Sequence, residues 1–322
     1  MTKKTFYPDD GDDYLRSHID YTFDKTPNKS WTDFIEKSLT NYYDNITIKS
    51  LLDSRHNLDS RRIENSNTYD VLIICALPDE VEGVYDAFDV DDNSRETIHY
   101  DYRVQYNFIF HSFNYNNLSF AVVTQSSMGM ANAASITARA ILAIKPKIVA
   151  MTGICAGRKG KANKGDIIVA NQVYDYTAGK KYEEKFAPRP DVYSVDETIK
   201  NHVTAAILRN TKFCNSLLTG WDTNTITGRV EVHLKAMASG TAVIDDKVTV
   251  DDAATYQDDL YAIDMESYGI ALSATALNTR WIVIKGIQDF ANGDKANDEI
   301  TWRRFAAKAS AQVLKEIIHG II

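Results

Sequence analysis

Residues 147–157, KIVAMTGICAG, decide how this chain is read. The run KIVAMT directly follows Pro146, which closes the alanine-rich helical stretch MANAASITARAILAI. A short apolar run without polar alternation suits a strand covered on both faces of a largely parallel sheet. The following GICAG reads as a glycine-containing turn at the carboxyl end of that strand, where α/β sheets hold their ligands. Such a turn cradles a phosphate, holds a sugar, or only ends a strand. GICAG lacks the G-x-G-x-x-G spacing, and the loop GRKGKANKG at 157–165 lacks the Lys-Ser/Thr ending of a P-loop. Dinucleotide and nucleoside-triphosphatase readings are therefore weak.

The same strand-then-helix alternation extends in both directions. VLIICAL (71–77) is another buried strand, followed by a helix with Val81, Val84, Tyr85 and Phe88 on one side. VQYNFIFHSF (104–113) and LSFAVVT (118–124) flank the hairpin-like turn NYNN. Further on come a strand at 166–176, a helix at 196–210, a strand region at 226–239, a strand at 260–264 and a helix at 266–277. WIVIKGI (281–287) is the last strand, and the closing helix places Phe305, Ala309, Val313 and Ile317 at four-residue steps. Residues 70–322 thus read as an α/β domain without internal repeats.

Residues 1–69 are rich in Asp, Asn, Ser and Tyr and read as an N-terminal extension and linker. Within them SWTDFIEKSLTNYYDNI spaces Trp31, Phe34, Ile35, Leu39, Tyr42, Tyr43 and Ile46 as one amphipathic helix, with Ser30 and Asp33 as a capping box. A docked helix is the plainer reading than an independent binding role.

With 44% hydrophobic residues, the 322-residue chain can bury a full core. Its 44 acidic against 36 basic residues give a net charge of −8, so no global positive field gathers nucleic acid or anionic lipid. Three distant cysteines without a C-x-x-C pair fit reduced thiols, and no signal peptide or membrane span is visible. A soluble cytoplasmic protein is the expectation.

Carboxylates stand directly after several predicted strands: Glu80 in PDEVE, Glu266 beside Met265, and Asp289 beside Gln288. Distant in sequence, they would meet on one rim. Carboxylates without metal-ligand spacing suit acid/base work on a glycosidic bond. The seven histidines form no H-E-x-x-H, and no G-x-S-x-G precedes a helix, so zinc hydrolysis and serine acyl transfer lack support. Each residue also has a plainer explanation. An acid in the first helical turn favours the helix dipole, which covers Glu80 and Glu266. Asp289 also suits a turn, Met265 a core, and Arg158, Lys159, Lys161 and Lys164 a solvated loop.

In order along 70–322, the segments IICALPDEVEGV, VVTQSSMGMANAA, IVAMTGICAGRKGKANKGDIIVA, MASGTAVI, AIDMESYGIA and VIKGIQDFANGDK resemble the nucleoside phosphorylase/nucleosidase superfamily. Among its branches they are most similar to methylthioadenosine/S-adenosylhomocysteine nucleosidases and related purine N-ribohydrolases. The resemblance implies a three-layer α/β fold, with a central mixed, partly barrel-like sheet flanked by helices, in a homo-oligomer. It implies no cofactor or metal. A purine nucleoside or nucleotide is the expected small-molecule partner.

By position, the resemblance gives Glu80 the attacking water and Asp289 the proton for adenine N7. It gives Glu266 the ribose hydroxyls and Met265 the sugar face. It places Gly153, Ile154, Cys155 and Ala156 near sugar and base, Val243 and Ile244 at the base, and Lys285 where an Arg is usual. A neutral Asp289 in a poorly solvated pocket would have a raised pKa while Glu80 stayed ionised. Phosphorylase members carry a phosphate-binding Ser where this chain has Ile154, so hydrolysis is favoured over phosphorolysis. A phosphate-dependent phosphorylase and a non-catalytic nucleotide-binding module are the alternatives. GRKGKANKG with Lys180 and Lys181 would form a cationic rim for 5′ phosphates. Similar domains joined to extra modules occur in microbial immune systems, where release of adenine from ATP or its relatives starves an invader.

Overall fold

In the computed structural model, the residues described are 68–322 except 92, 101–107, 184–185, 209, 223, 227, 242–249, 251–252 and 292–298. The helix expected within 30–46 and nearly all of the expected extension and linker lie outside them. The chain runs β1 (Val71–Cys75), α1 (Pro78–Phe88), β2 (Glu96–Tyr100), β3 (Phe108–Tyr115), β4 (Leu118–Thr124), α2 (Met130–Ile144) and β5 (Ile148–Gly157). It continues with β6 (Ile167–Asp175), β7 (Gly179–Lys181), β8 (Phe186–Pro188), β9 (Val192–Ser194), α3 (Glu197–Ala206) and α4 (Thr211–Ser216). It ends with β10 (Val232–Ser239), β11 (Leu260–Asp264), α5 (Ser267–Ala276), β12 (Arg280–Asp289) and α6 (Glu299–Ile321).

The main sheet has the order β11-β10-β6-β12-β5-β1-β4-β3-β2, with β9 added on β6. β11 also pairs antiparallel with β5 through Ala262↔Gly157 and Ile263↔Ala156. The strands β5, β12, β6, β10 and β11 therefore close into a small barrel, and β1, β4, β3 and β2 continue from β5 as an open wing. β1 lies parallel to both β4 and β5, as expected for a strand buried at all five positions. The β3–β4 hairpin turns on Asn116 (φ 46°) and Asn117 (φ 65°), successive left-handed residues of the kind asparagine tolerates. Helices flank the sheet: α6 packs on α1, β12 and β5, while α2 packs on α5. Phe305, Ala309, Val313 and Ile317 of α6 and Val81, Val84, Tyr85 and Phe88 of α1 are all buried.

Several expected boundaries move, and one move matters for function. GICAG is not a turn. β5 runs unbroken from Ile148 to Gly157, pairing with β1 over Ile148–Met151 and then with β11 at Ala156–Gly157, while β12 stays beside it. The strand changes one neighbour midway, and Gly153, at φ 148°, lies where it does so. Likewise Gln288 and Asp289 belong to β12 itself, across a register shift between Ile287 and Asp289, rather than to the loop beyond it. The strand expected over 104–113 is described from Phe108 to Tyr115, and β10 begins at Val232 rather than 226. The helix expected at 196–210 is described as α3, over Glu197–Ala206 and capped by Asp196, and a further short helix, α4, follows it, capped by Asn210. Among the described residues no helix is long and apolar enough to cross a membrane.

Candidate active site

The carboxyl ends of β1, β5, β11 and β12 surround a cavity of about 260 Å³. Glu80, Glu266 and Asp289 all line it, together with Ile154, Cys155, Ala156 and Met265.

Glu80 reaches it from the third position of α1, which Pro78 opens and where Glu80 closes a capping box with the Leu77 amide. Its Oε2 accepts from the backbone N–H groups of Ala76 (2.6 Å) and Leu77 (3.1 Å). Its Oε1 accepts from the Ile154 N–H (2.8 Å) and the Lys285 ammonium (3.4 Å). The side chain rests on the backbone of the β5 bend: a Cβ at Gly153 would lie 1.8 Å from Oε1. Gly153 N–H donates to Ser310 Oγ of α6 at 3.0 Å, tying the bend to the helix beneath. This answers the question raised by GICAG. The bend binds an anion, but the anion is the protein's own carboxylate, and it already occupies the Ile154 N–H that a phosphate would use.

Lys285, expected at the substrate, is wholly buried and does not line the cavity. Burial alone would discharge its amine, but the carboxylates of Glu80, Asp264 and Glu266 outweigh that and hold its pKa above the ordinary lysine value. Lys285 is thus a counter-ion behind the acids. Gly153 likewise lies beneath the lining rather than in it.

Glu266 follows β11 and is 5% exposed. Its Oε1 accepts from the Gly129 N–H at 2.9 Å. Burial, with the neighbouring Asp264 and Glu80, pushes its pKa up to about 7 against the pull of Lys285 and the Gly129 N–H. Asp264 takes over the capping of α5: it accepts from Ser267 N–H at 3.1 Å, from the Ser267 hydroxyl, and from Ser239 Oγ at 2.7 Å.

Asp289 is half-buried. Asp289 Oδ1 accepts from the Ala291 N–H (2.9 Å) and Oδ2 from Gln288 Nε2 (2.8 Å). Arg303 of α6 also lines the cavity and donates through Nε to Gln288 Oε1 (3.3 Å), with Nη1 3.8 Å from Asp79. Arg303 can only donate, and Asp289 Oδ2 accepts from Nε2, so the Gln288 amide is oriented from both ends. The Cys155 thiol donates to Gly286 O at 3.5 Å, and burial raises its pKa well above the usual value, so it stays a thiol.

Val243 and Ile244 lie outside the described residues. The basic loop does not line the cavity. Arg158 donates to Asp258 O at 3.0 Å, Lys164 lies 4.9 Å from the Trp302 ring centroid, and Lys180 lies 4.9 Å from that of Tyr182. Sequence reasoning did not select Asp264, Met128, Ile263 or Arg303. Asp264 was adjacent to the chosen Met265-Glu266, but Arg303 sits in a polar helical turn with no distinguishing pattern. Among the described residues no group of His, Cys, Asp or Glu could hold a metal ion.

The chain resembles known proteins at three levels. It is 36% identical over 191 residues to protein y4jS of Sinorhizobium fredii, covering 57% of this chain and 46% of that protein. It is 27% identical over 213 residues to the ATP nucleosidase Cap17 of Escherichia coli, covering 62% of this chain and 42% of the relative. The chain thus spans less than half the length of either relative. In fold it is similar to the methylthioadenosine/S-adenosylhomocysteine nucleosidase of Colwellia psychrerythraea solved with adenine. That match has a TM-score of 0.61 and 19% identity, and covers 79% of this chain and 96% of the other. Residues 70–319 match the phosphorylase superfamily, and with the partly closed barrel and helices described above, the chain belongs to that superfamily.

Proposed function

We propose that this chain is a purine N-ribohydrolase, cleaving the N-glycosidic bond of an adenine nucleoside or nucleotide to release adenine. The observation that carries the reading is the meeting of Glu80, Glu266 and Asp289, far apart in sequence, around one cavity. Hydrolysis rather than phosphorolysis is supported by Glu80 occupying the Ile154 N–H and by a lining that, among the described residues, has four carboxyl groups and only Arg303 as a cation. Substrates of the ATP or AMP type are supported by the relative named an ATP nucleosidase, and the proposal places the activity in microbial antiviral defence.

In this mechanism the C1′–N9 bond lengthens, leaving positive charge on the ribose and negative charge on the purine. Asp289 delivers its proton to N7 of the departing base. Glu266 receives the ribose hydroxyls on its Oε2. Water adds to C1′ and passes its proton to Glu80. A water that reaches Glu80 displaces one of its four donors, and the 3.4 Å Lys285 contact is the longest.

A second assignment has a specific observation behind it. Glu266, with a pKa near 7 and only one hydrogen bond from the protein, is also suited to accept the proton of the water.

Incubation with ATP, AMP, adenosine and methylthioadenosine in phosphate-free buffer should liberate adenine from at least one of them. Strict dependence on added phosphate would overturn hydrolysis. Asp289→Asn should lower turnover by about 10²–10⁴-fold with the fold intact. Glu80→Gln and Glu266→Gln separate the two base assignments, since only loss of the base abolishes the acidic limb of the pH–rate profile.

A further inference from the structure

β4 ends at Thr124, and the main chain then holds Gln125 against the end of β1, its N–H donating to the Cys75 carbonyl at 3.1 Å. The Gln125 side chain has no comparable anchor. It is 5% exposed, yet neither its amide oxygen nor its amide nitrogen has a hydrogen-bond partner among the described residues. Buried polar side chains are nearly always paired, so a partner is missing here. Gln125 lines a second cavity of about 390 Å³, which shares no lining residue with the carboxylate-rich one. Arg139 also lines it but already interacts within the chain, so selection of a ligand falls to the uncharged groups.

What Gln125 lacks defines the ligand. Its amide offers N–H donors and a C=O acceptor side by side. An anion would answer only the donors, and a cation only the acceptor. A trans peptide group has both kinds, but its N–H and C=O point in opposite directions and cannot both meet one side chain. A nucleobase edge can, as glutamine does with N6–H and N7 of adenine. Turned over, the same amide meets the N1–H and 6-oxo group of hypoxanthine. The rest of the lining suits a flat ring with a polar rim. Ile109 of β3, 52% exposed, and Ile136 of α2 offer apolar surface for the ring to cover, and the Ser126 and Ser135 hydroxyls can reach its substituents. The volume lies within the range of about 300–1,000 Å³ usual for small-molecule sites.

We propose that this second cavity binds a free purine base or its nucleoside, with the Gln125 amide paired to the edge of the base. The site is separate from the proposed hydrolytic one and holds whatever that one cleaves. It also stands close to both of the buried acids. The residues after Cys75 are Ala76 and Leu77, whose N–H groups hold Glu80, and Gly129, four positions beyond Gln125, holds Glu266.

Equilibrium dialysis of the full chain against labelled adenine, and separately hypoxanthine, counts the molecules bound per chain at saturation. Gln125→Leu keeps the bulk of the side chain and removes both polar groups, so it should weaken the second site about tenfold or more, the loss of a bidentate pair. Ser135→Trp, at an exposed rim position, should block the cavity by bulk alone and serves if Gln125→Leu does not fold. Wild type should bind one more adenine or hypoxanthine per chain than either variant. A count that falls from two to one supports a base in each cavity, whereas a fall from one to zero supports the second site and counts against a purine in the first. Equal counts for wild type and every variant that folds, or no binding of either base by wild type, overturns the proposal and leaves the hydrolase reading to its own assay.

Discussion

Folding carries the Glu266 carboxyl from water into a site where it is 5% exposed, and its pKa rises from 4.5 to about 7. Between those pH values the folded chain holds a proton that the unfolded chain has released. The stability this group contributes is therefore fully present below pH 4.5 and lost as pH rises to about 7. Glu266→Gln keeps the uncharged form at every pH. Its advantage over wild type in urea unfolding should grow across that window and reach the order of 3 kcal/mol above it. A difference that does not vary with pH would show that Glu266 is not the titrating group. The same residue shows what the sequence could reveal at this scale. Its place after a strand was legible, but its pKa depends on Lys285 and Asp264, whose approach is a property of the closed barrel.

Among the elements, β5 departs furthest from expectation. Its first half was legible as a buried parallel strand. Its second half read as a turn because two glycines and small residues after an apolar run ordinarily mark one. What keeps it extended is a partner distant in sequence, β11, which pairs where β1 lets go. Asp289 was misplaced for the same reason, since β12 follows β5 past the point where its apolar run ends. Gly153→Ala tests the bend. The left-handed backbone alone should cost about 1–3 kcal/mol, and the added methyl would push Glu80 off the strand. Unfolding should shift to lower denaturant and adenine release should fall together. Unchanged stability and turnover would mean that the Glu80 carboxylate does not rest on Gly153.

For the whole molecule, the succession of the main strands and helices along the chain was legible because each of those strands carries its own apolar run and each of those helices its own apolar stripe. Closure into a barrel was not legible from those patterns, because pairing between distant strands leaves no local periodicity. It came instead from the resemblance to a family. The basic loop shows the limit of charge counting: Arg158 and Lys164 cluster in sequence, yet their side chains turn to Asp258 and Trp302 rather than to the cavity. A homo-oligomer remains an expectation of the family. Light scattering should give a multiple of the 36.2 kDa chain mass, and a single-chain mass would contradict it.

The grip on Glu80 comes from main-chain N–H groups at Ala76, Leu77 and Ile154, with Lys285 the only side chain among its donors. Replacing the side chains at 76, 77 or 154 with others that keep the same backbone path would recontour the walls without loosening the acid. Selectivity and reactivity are thereby separable here, so a library randomised at those three positions should yield altered preferences more readily than dead protein.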